Sequence, residues 1–374
     1  MARIVVKVGT STLTHANGRL DFLQMERLVR QISDLSNMDH EVVLVSSGAV
    51  GAGMGKLGLN RRPDSIAEKQ AVAAVGQGLL MQVYEKLFSE YGQTTAQVLL
   101  TRADLMARDR YLNARHALQK LLDFRVIPVI NENDTVAVDE LCFGDNDCLS
   151  ALVAALVDAD RLIILSDVDG MYSKDPHRFP DAEILSEVAT IDEALFQAAG
   201  GSSSKVGTGG MITKLQAAQT AVACGITVHL TNGRTPDVLR RILAGERVGT
   251  TFLPSTQRIM GKKRWLAFYQ EPQGKVRVDQ GAREALLWHG KSLLPSGVVG
   301  VEGEFDQGDL VLVVDEADRE IGRGLVNYSA AEVARIMGLK THQLGTVLEG
   351  AYYDEVIHRD NLVIVPGING ERHS

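Results

Sequence analysis

The strongest constraint on the fold is an alternation of short β-branched runs with longer helical stretches over about the first 250 residues. The runs that we expect to form strands are rich in Val, Ile and Leu and lie at 4–8, 41–45, 94–99, 126–130, 161–165 and 227–230. The stretches that we expect to form helices are 21–37, 66–90, 115–123, 147–157 and 211–223. This alternation predicts an α/β domain in which helices sandwich a mostly parallel sheet. Ligands of such sheets bind beyond the carboxyl ends of the strands.

The sequence changes in character after about residue 252. Short strands are expected there at 265–269, 275–278, 308–314, 322–326, 346–348 and 361–365, with helices at 282–289 and 330–337. We therefore expect a large domain at 1–255, a linker at 256–272 and a second, smaller β-rich domain at 273–368.

Composition narrows the class of protein. The chain has 374 residues, which is enough for two domains with buried cores. Its formal net charge of −8 argues against a general affinity for nucleic acid or an anionic membrane. The three cysteines form no CxxC pair, which favours a reducing compartment such as the cytoplasm. No apolar run approaches the roughly 20 residues that a membrane-spanning helix needs.

Two glycine turns lie beside lysines. Residues 207–210 read Gly-Thr-Gly-Gly and lead into an expected helix that carries Lys214 on its first turn. Glycines let a ligand approach the backbone, and the free N–H groups of a helix N-terminus attract anions. Lys7 ends the first expected strand and is followed by a turn at Gly9. The pair predicts a polyphosphate held from both ends, although Lys7 could also be an edge lysine that reaches solvent.

Other polar turns allow two interpretations each. Ser46-Ser47-Gly48-Ala49 could hold an anion or simply cap a helix. Asn131-Glu132-Asn133-Asp134 and Gly144-Asp145-Asn146-Asp147 could be two Asx turns. Their carboxylates would otherwise need cations, which could be a substrate ammonium, Mg²⁺ or the two lysines. Ser166-Asp167 could bind a nucleotide or cap a turn.

The segment at 53–58 matches the pattern GxGxxG but begins well past the end of its strand. A lone match is weak support for a dinucleotide site. We expect a flexible glycine-rich loop near the substrate instead.

Taken in order, these motifs resemble the amino-acid kinase family, and within it the enzymes that phosphorylate the side-chain carboxylate of glutamate. The resemblance covers the whole chain, and the β-rich tail resembles a PUA domain. The residues that carry it are Val6-Lys7-Val8-Gly9-Thr10-Ser11, Ser46-Ser47-Gly48-Ala49, Ile130-Asn131-Glu132-Asn133-Asp134, Phe143-Gly144-Asp145-Asn146-Asp147, Leu165-Ser166-Asp167-Val168-Asp169-Gly170 and Gly207-Thr208-Gly209-Gly210-Met211-Ile212-Thr213-Lys214.

The resemblance implies transfer of the γ-phosphoryl group of ATP to L-glutamate, giving L-glutamyl 5-phosphate on the route to proline. It implies catalytic roles for Lys7, Lys214 and Asp147. The glutamate-binding residues that it implies are Ser47, Gly48, Asp134 and Asn146. The ATP-binding residues that it implies are Lys7, Gly9, Ser166, Asp167, Thr208, Gly209, Gly210, Met211, Ile212, Thr213 and Lys214. Mg²⁺ would bridge the phosphates without an assigned protein ligand. L-proline is the implied feedback inhibitor, and a homodimer or homotetramer is the implied assembly.

Elementary chemistry agrees with this resemblance, because a carboxylate acceptor is already ionised near neutral pH and needs no general base. One departure is Cys142, which stands where relatives often carry Lys or Arg and puts the affinity for glutamate or proline in question. Two alternatives stay open. The acceptor could be aspartate, acetylglutamate or uridylate, or the tail could make this an RNA-binding or regulatory protein. Residues 262–374 carry 13 Lys and Arg against 17 Asp and Glu, so strong RNA binding is not expected.

Overall fold

The computed structural model describes residues 1–15, 18–59, 61–137, 146–174, 176, 179, 181–199, 210–255, 272–348 and 353–364. The chain divides into two compact units, Met1–Arg258 and Ile259–Ser374. Among the described residues, no helix combines the length and the apolar composition that crossing a membrane requires.

The described part of the first unit is built on an eight-stranded sheet. Its strands are β1 (Arg3–Val8), β2 (Glu41–Ser46), β3 (Thr95–Leu100), β4 (Ile127–Glu132), β5 (Arg161–Ser166), β6 (Glu187–Val188), β7 (Thr227–Asn232) and β8 (Thr250–Phe252). They lie in the order β3-β4-β2-β1-β5-β7-β8-β6. Only the β7–β8 pairing within this sheet of described strands is antiparallel. The predicted α/β fold is confirmed.

Helices occupy the connections between these strands. In the described residues they are α1 (Thr10–Leu13), α2 (Phe22–Asn37), α3 (Ala49–Leu57), α4 (Ile66–Glu90), α5 (Arg102–Met106), α6 (Arg108–Asp123), α7 (Asn146–Leu156), α8 (Glu193–Ala199), α9 (Met211–Ala223) and α10 (Val238–Leu243). Side-chain caps fix some starts: Asp21 accepts from the Gln24 amide before α2, and Ser65 accepts from the Glu68 amide before α4. The helix predicted at 115–123 begins earlier, at Arg108, because the charged run at 108–110 hides its apolar period.

The prediction of a flexible loop at 53–58 is wrong. Most of that segment lies in α3, which packs against α4 through two glycines. A Cβ atom on Gly76 would lie 1.7 Å from the Ala49 carbonyl oxygen, and one on Gly53 would lie 2.0 Å from the Val72 carbonyl oxygen. Glycine is required here because the two helix backbones touch.

The centre of the sheet explains where Lys7 points. Ile4, Val6 and Val8 of β1 pack with residues of α2 and α4 in one buried cluster. Side chains alternate along a strand, so Val5 and Lys7 face the opposite side of the sheet. Helix α7 contacts β1 there. The Lys7 side chain is therefore enclosed between the sheet and α7.

The second unit has its own sheet and its own core. Its described elements are β9 (Gly274–Val278), α11 (Gln280–His289), β10 (Val298–Gly303), β11 (Leu310–Val314), β12 (Glu320–Leu325), α12 (Ala330–Ile336) and β13 (Leu362–Ile364). The strand order is β10-β9-β11-β12-β13, and a separate cluster of buried apolar residues packs against it. The strand predicted at 346–348 is wrong, since a 3-10 helix spans Thr341–Thr346, and β10 was not predicted. The strand predicted at 265–269 and nearly all of the predicted linker lie outside the described residues.

Candidate active site

Two lysines from distant parts of the chain meet at one aspartate. The Lys7 ammonium from β1 lies 2.5 Å from Asp147 Oδ1. The Lys214 ammonium, from the first turns of α9, lies 3.0 Å from Asp147 Oδ2. Lys7 is 3% exposed, Lys214 is 7% exposed and Asp147 is fully buried. We call these three residues the charge trio.

The trio is held by three separate elements. Asp147 lies on the first turn of α7, and the Thr213 hydroxyl from α9 also donates to its Oδ2 atom at 3.2 Å. The same hydroxyl lies 2.8 Å from the Gly210 carbonyl oxygen and shares its one proton between the two acceptors, which ties the start of α9 to the aspartate. Two ammonium groups and one carboxylate leave one net positive charge, which suits a multiply charged anion such as a phosphate.

A glycine lies close in sequence to each of these lysines. Gly210 is the N-cap residue of α9 and makes no side-chain cap, and a Cβ atom there would have no described residue within 4 Å. A Cβ atom on Gly9 would lie 3.7 Å from the Lys7 ammonium. A ligand can therefore approach the backbone at Gly210, whereas a Cβ atom on Gly9 would also be in contact with the Leu165 carbonyl oxygen, at 3.7 Å. Thr208 and Gly209 lie outside the described residues.

A network of amides and hydroxyls begins one residue before Asp147. The Asn146 amide group donates to the Ser47 hydroxyl at 3.0 Å and to the Asn131 Oδ1 atom at 2.8 Å. It also lies 3.2 Å from the Ser46 carbonyl oxygen. Asn146 Oδ1 is buried and has no hydrogen-bond partner among the described residues. We call Ser47, Asn131 and Asn146 the amide network.

The segment after Ser47 differs from a simple serine cap. Gly48 is the N-cap residue of α3, with a φ of 101°, and no side chain caps this helix. A left-handed conformation of this kind favours glycine. The Ser47 hydroxyl is thus engaged by Asn146 rather than by the start of α3.

Side chains of helix α4 form hydrogen bonds with the amide network and with the adjacent Ser46. The Gln77 Oε1 atom accepts from the Asn131 amide at 2.8 Å. The Tyr84 and Ser46 hydroxyls are 2.9 Å apart, and burial raises the pKa of Tyr84, which therefore stays neutral. Gln77 and Asn131 were absent from the predicted site residues. Gln77 falls on the buried stripe of α4, and that position of a polar residue is the signal that could have found it.

Asp134 follows β4 at the same edge of the sheet. Burial raises the pKa of this carboxyl to about 6, and the charge of Glu132 adds to the effect, while Lys69 opposes it. Asp134 has no hydrogen bond or ion pair with any described residue, and Glu132 is only 8% exposed. A cation placed here would relieve the repulsion between the two carboxylates.

The predicted nucleotide residues after β5 lie beside the end of β1. The Ser166 hydroxyl donates to Asp167 Oδ1 at 3.0 Å, and Ser166 is buried while Asp167 is exposed. The Gly9 amide donates to the Leu165 carbonyl at 3.2 Å, which joins the two strand ends. Met211 and Ile212 lie on the first turn of α9, and Ile212 is 42% exposed.

The structure thus brings most of the predicted residues to the carboxyl edge of the sheet. Lys7, Asp147, Thr213 and Lys214 are in direct contact, and Asn146 joins them to Ser47 through the start of α7. Among the described residues, Asp134 and Asp167 make no hydrogen bond or ion pair with either group. Cys142 and the Gly144-Asp145 pair lie outside the described residues.

Known proteins resemble this chain over nearly its whole length. The sequence model of the amino acid kinase family matches residues 2–232, and that of the PUA domain matches residues 274–348, as predicted. Glutamate 5-kinase of Caldanaerobacter subterraneus subsp. tengcongensis is 57% identical, covering 99% of this chain and 99% of the relative. Glutamate 5-kinase of Thermoanaerobacter sp. is 55% identical, covering 97% of this chain and 98% of the relative. The solved structure of UMP kinase from Bacillus anthracis gives a TM-score of 0.47 at 17% identity, covering 68% of this chain and 97% of that chain.

Proposed function

This chain belongs to the amino acid kinase family, and from that premise we propose that it transfers the γ-phosphoryl group of ATP to the side-chain carboxylate of L-glutamate. The product is L-glutamyl 5-phosphate, the first intermediate of proline biosynthesis. The observation that carries the proposal is the charge trio, in which two buried lysines share one buried aspartate.

The trio suits phosphoryl transfer between two anions. The acceptor carboxylate is ionised near neutral pH, so the reaction needs alignment and charge neutralisation rather than a base. Lys7 and Lys214 neutralise the migrating phosphoryl group, and Asp147 orients both ammonium groups. Because the trio is buried, its charges act in a region of low dielectric, where electrostatic stabilisation is strong.

The other polar groups of this edge suit glutamate. Asp134, beside Glu132, supplies negative charge for the substrate ammonium. Asn146 Oδ1 supplies a buried acceptor, and the Ser47 hydroxyl and the backbone at Gly48 complete the acceptor subsite. Buried polar groups that are left without partners discriminate strongly between substrates, because a wrong ligand leaves them unpaired.

The nucleotide is proposed to bind at the opposite side of the trio. Its phosphates meet the N-terminus of α9 from Gly210 to Lys214, together with the predicted Thr208 and Gly209, and the turn at Gly9. Ser166 and Asp167 accept hydrogen bonds from the nucleoside. Mg²⁺ would be bound through the phosphates of ATP and would neutralise part of their charge. In the part of the chain that the structure describes, no group of three His, Cys, Asp or Glu side chains is placed to hold a metal ion.

Three further expectations belong to the same proposal. L-proline acts as a feedback inhibitor, the chain assembles as a homodimer or homotetramer, and it works in the cytoplasm. Measuring ADP release with and without proline tests the inhibition, and size-exclusion chromatography with light scattering tests the assembly. A rate of ADP release that stays the same as the proline concentration is increased would contradict the expected inhibition.

The deciding experiment measures ADP release by the full chain with ATP, Mg²⁺ and L-glutamate. Hydroxylamine traps the acyl phosphate, so a hydroxamate should form in step with ADP. L-aspartate, N-acetyl-L-glutamate and UMP are tested in parallel, because they represent the alternative acceptors. Turnover with one of these and none with glutamate would overturn the assignment of the acceptor.

A further inference from the structure

We propose that Gln77 is a positioning residue of the acceptor subsite, which fixes the orientation of the Asn131 amide and through it the placement of Asn146 beside Ser47. This inference rests on the proposed function, since it concerns the affinity for glutamate. Gln77 touches neither the charge trio nor the predicted nucleotide residues. It acts on the acceptor through two intervening side chains.

The contacts form a continuous line. Gln77 Oε1 accepts from Asn131 Nδ2 at 2.8 Å. Asn131 Oδ1 then accepts from Asn146 Nδ2 at 2.8 Å and from the Glu132 amide at 2.9 Å. Asn146 Nδ2 reaches the Ser47 hydroxyl at 3.0 Å. The line runs from α4 across the ends of β4 and β2 to the first residue of α7.

Gln77 supports one of the two orientations of the Asn131 amide. If that amide turned over, its NH₂ group would face the Asn146 NH₂ group and the Glu132 N–H. Donors would then face donors, and both contacts would be lost. The Glu132 N–H and the Asn146 amide disfavour that alternative from one side of Asn131, and Gln77 Oε1 reinforces them by accepting from Asn131 Nδ2 on the far side.

The burial of Gln77 indicates that its contact with Asn131, rather than packing, accounts for a glutamine at this position. Gln77 is only 9% exposed and lies on the face of α4 that otherwise buries Leu80, Tyr84 and Phe88. Its Nε2 atom is buried and has no hydrogen-bond partner among the described residues. An unpaired buried donor destabilises the fold, and an apolar residue of similar size would avoid it. Packing alone therefore does not favour glutamine at this position.

The helix that carries Gln77 is held in place at the adjacent residue. Gly76 touches the backbone of α3 at Ala49 so closely that a Cβ atom would lie 1.7 Å from the Ala49 carbonyl oxygen. Residue 49 directly follows Gly48 of the predicted acceptor subsite. The contact fixes the position of α4 relative to the start of α3, so Gln77 is held on a rigid part of the structure.

The test compares variants of the full chain in the ADP-release assay. Gln77→Met, which keeps the volume and removes the acceptor, should raise the KM for glutamate about tenfold, the equivalent of roughly 1.4 kcal/mol. The KM for ATP should change less than about twofold, because only the acceptor side is disturbed. Gln77→Glu keeps an acceptor oxygen at the same reach and should restore a KM closer to that of the unaltered chain.

The matched control is Gln31→Met. Gln31 is 6% exposed in α2, donates to the Arg27 carbonyl at 3.2 Å and accepts from the Leu239 amide at 3.1 Å. It tests the general cost of removing a buried glutamine and should leave both KM values unchanged. If Gln77→Met is too unstable to assay, Gln77→Asn replaces it. This variant withdraws the oxygen by the length of one methylene and should also raise the KM for glutamate more than the KM for ATP.

The outcomes separate this inference from the proposed function. An unaltered chain that does not turn over glutamate refutes the function. A chain that turns over glutamate, with Gln77→Met or Gln77→Asn leaving its KM for glutamate within about twofold, refutes the role of Gln77. Equal increases in both KM values, or the same pattern in Gln31→Met, would mean a general structural effect and would also refute it.

Discussion

The charge trio and the amide network start from neighbouring residues of α7 but are held together by different interactions, ion pairs in the trio and neutral hydrogen bonds in the network. Asp147 is surrounded by full charges, with lysine ammonium groups on both of its oxygens. Asn146 is surrounded by neutral groups, each of which contributes one directional hydrogen bond. A buried charge acts strongly and depends weakly on angle, whereas an amide discriminates by the direction in which its donors and acceptors point.

This difference assigns different tasks to the two regions. A phosphoryl group carries the same negative charge whichever acceptor receives it, so the trio serves the chemical step. The acceptor is recognised by shape and by the pattern of donors, acceptors and charge, so the network serves specificity. Substitutions in the trio should therefore lower kcat, and substitutions around the network should raise the KM for glutamate.

The largest effect is expected for Asp147→Asn. The change leaves two buried ammonium groups facing a neutral amide, so the free energy of unfolding should fall by about 3–5 kcal/mol. Phosphoryl transfer should be lost as well, because neither lysine is then held in place. Urea unfolding and ADP release measure the two effects.

The control for that prediction is Asp315→Asn in the second unit. Asp315 is 5% exposed and lies 2.8 Å from the Arg319 guanidinium, so it is also a buried, paired aspartate. Its substitution should destabilise the protein while leaving kcat unchanged at temperatures where the chain is folded. Unfolding of Asp147→Asn within about 1 kcal/mol of the unaltered chain would contradict the assumed coupling of the trio.

Lys214→Met should separate chemistry from stability. Lys7 still neutralises Asp147 in this variant, so little stability is lost. One of the two cations for the phosphoryl group is gone, and kcat should fall about 10²–10³-fold, by analogy with the loss of one oxyanion-hole donor. Single-turnover measurements at saturating glutamate report this step. Lys120→Met, at an exposed lysine paired with Asp123, is the control and should retain full activity.

The two regions also differ in how far the sequence could predict them. Lys7 lies at the end of a strand before a glycine turn, and Asp147 and Lys214 follow glycine turns in recognisable motifs. Their convergence at one sheet edge therefore followed from the parallel topology. The contact between Gln77 and Asn131 joins residues 54 positions apart through one amide orientation. No local period or motif encodes that contact, because it depends on how α4 packs on the sheet.

Helix α3 shows the same limit for the fold. Its glycines lower helix propensity, and a local interpretation therefore favoured a loop. The loss of propensity is offset by close packing against α4, which is a tertiary effect. Strand β10 and the early start of α6 were missed for related reasons, since an exposed or charged stretch shows little apolar period.

The packing of α3 on α4 gives a test that touches only the network side. Gly76→Ala places a Cβ atom against the Ala49 carbonyl oxygen and should destabilise the protein by about 1–3 kcal/mol. Because α3 starts at the predicted acceptor subsite, the KM for glutamate should rise while the KM for ATP stays nearly constant. Thermal unfolding and steady-state kinetics measure these effects.

Gly78→Ala is the matched control in the same helix. A Cβ atom on Gly78 would meet no described residue within 4 Å, so the change should stabilise the protein by about 0.5–1 kcal/mol through the lower entropy of the unfolded chain. Equal unfolding temperatures for the two variants would contradict the close contact between α3 and α4.

The smallest effect is a pH dependence confined to the acceptor side. The pKa of Asp134 is raised to about 6 by burial and by Glu132. Its ionised form should bind the glutamate ammonium, so kcat/KM for glutamate should fall, by up to about tenfold per pH unit, as the pH drops below 6. Glutamate's own side chain, with a pKa of about 4.3, does not titrate between pH 5.5 and 7.5.

The same shift fixes the sign of the effect on stability. Because the folded-state pKa lies above the ordinary aspartate value of 3.8, the folded chain binds more protons than the unfolded chain between those values. Ionised Asp134 therefore lowers stability at pH 7.5, and this penalty is relieved as the pH falls through 6. Asp134→Asn should be more stable than the unaltered chain at pH 7.5 while having a higher KM for glutamate and a flatter pH profile. A pH profile of kcat/KM for glutamate that is unchanged in Asp134→Asn would remove this carboxylate from substrate recognition and leave the amide network as the basis of specificity.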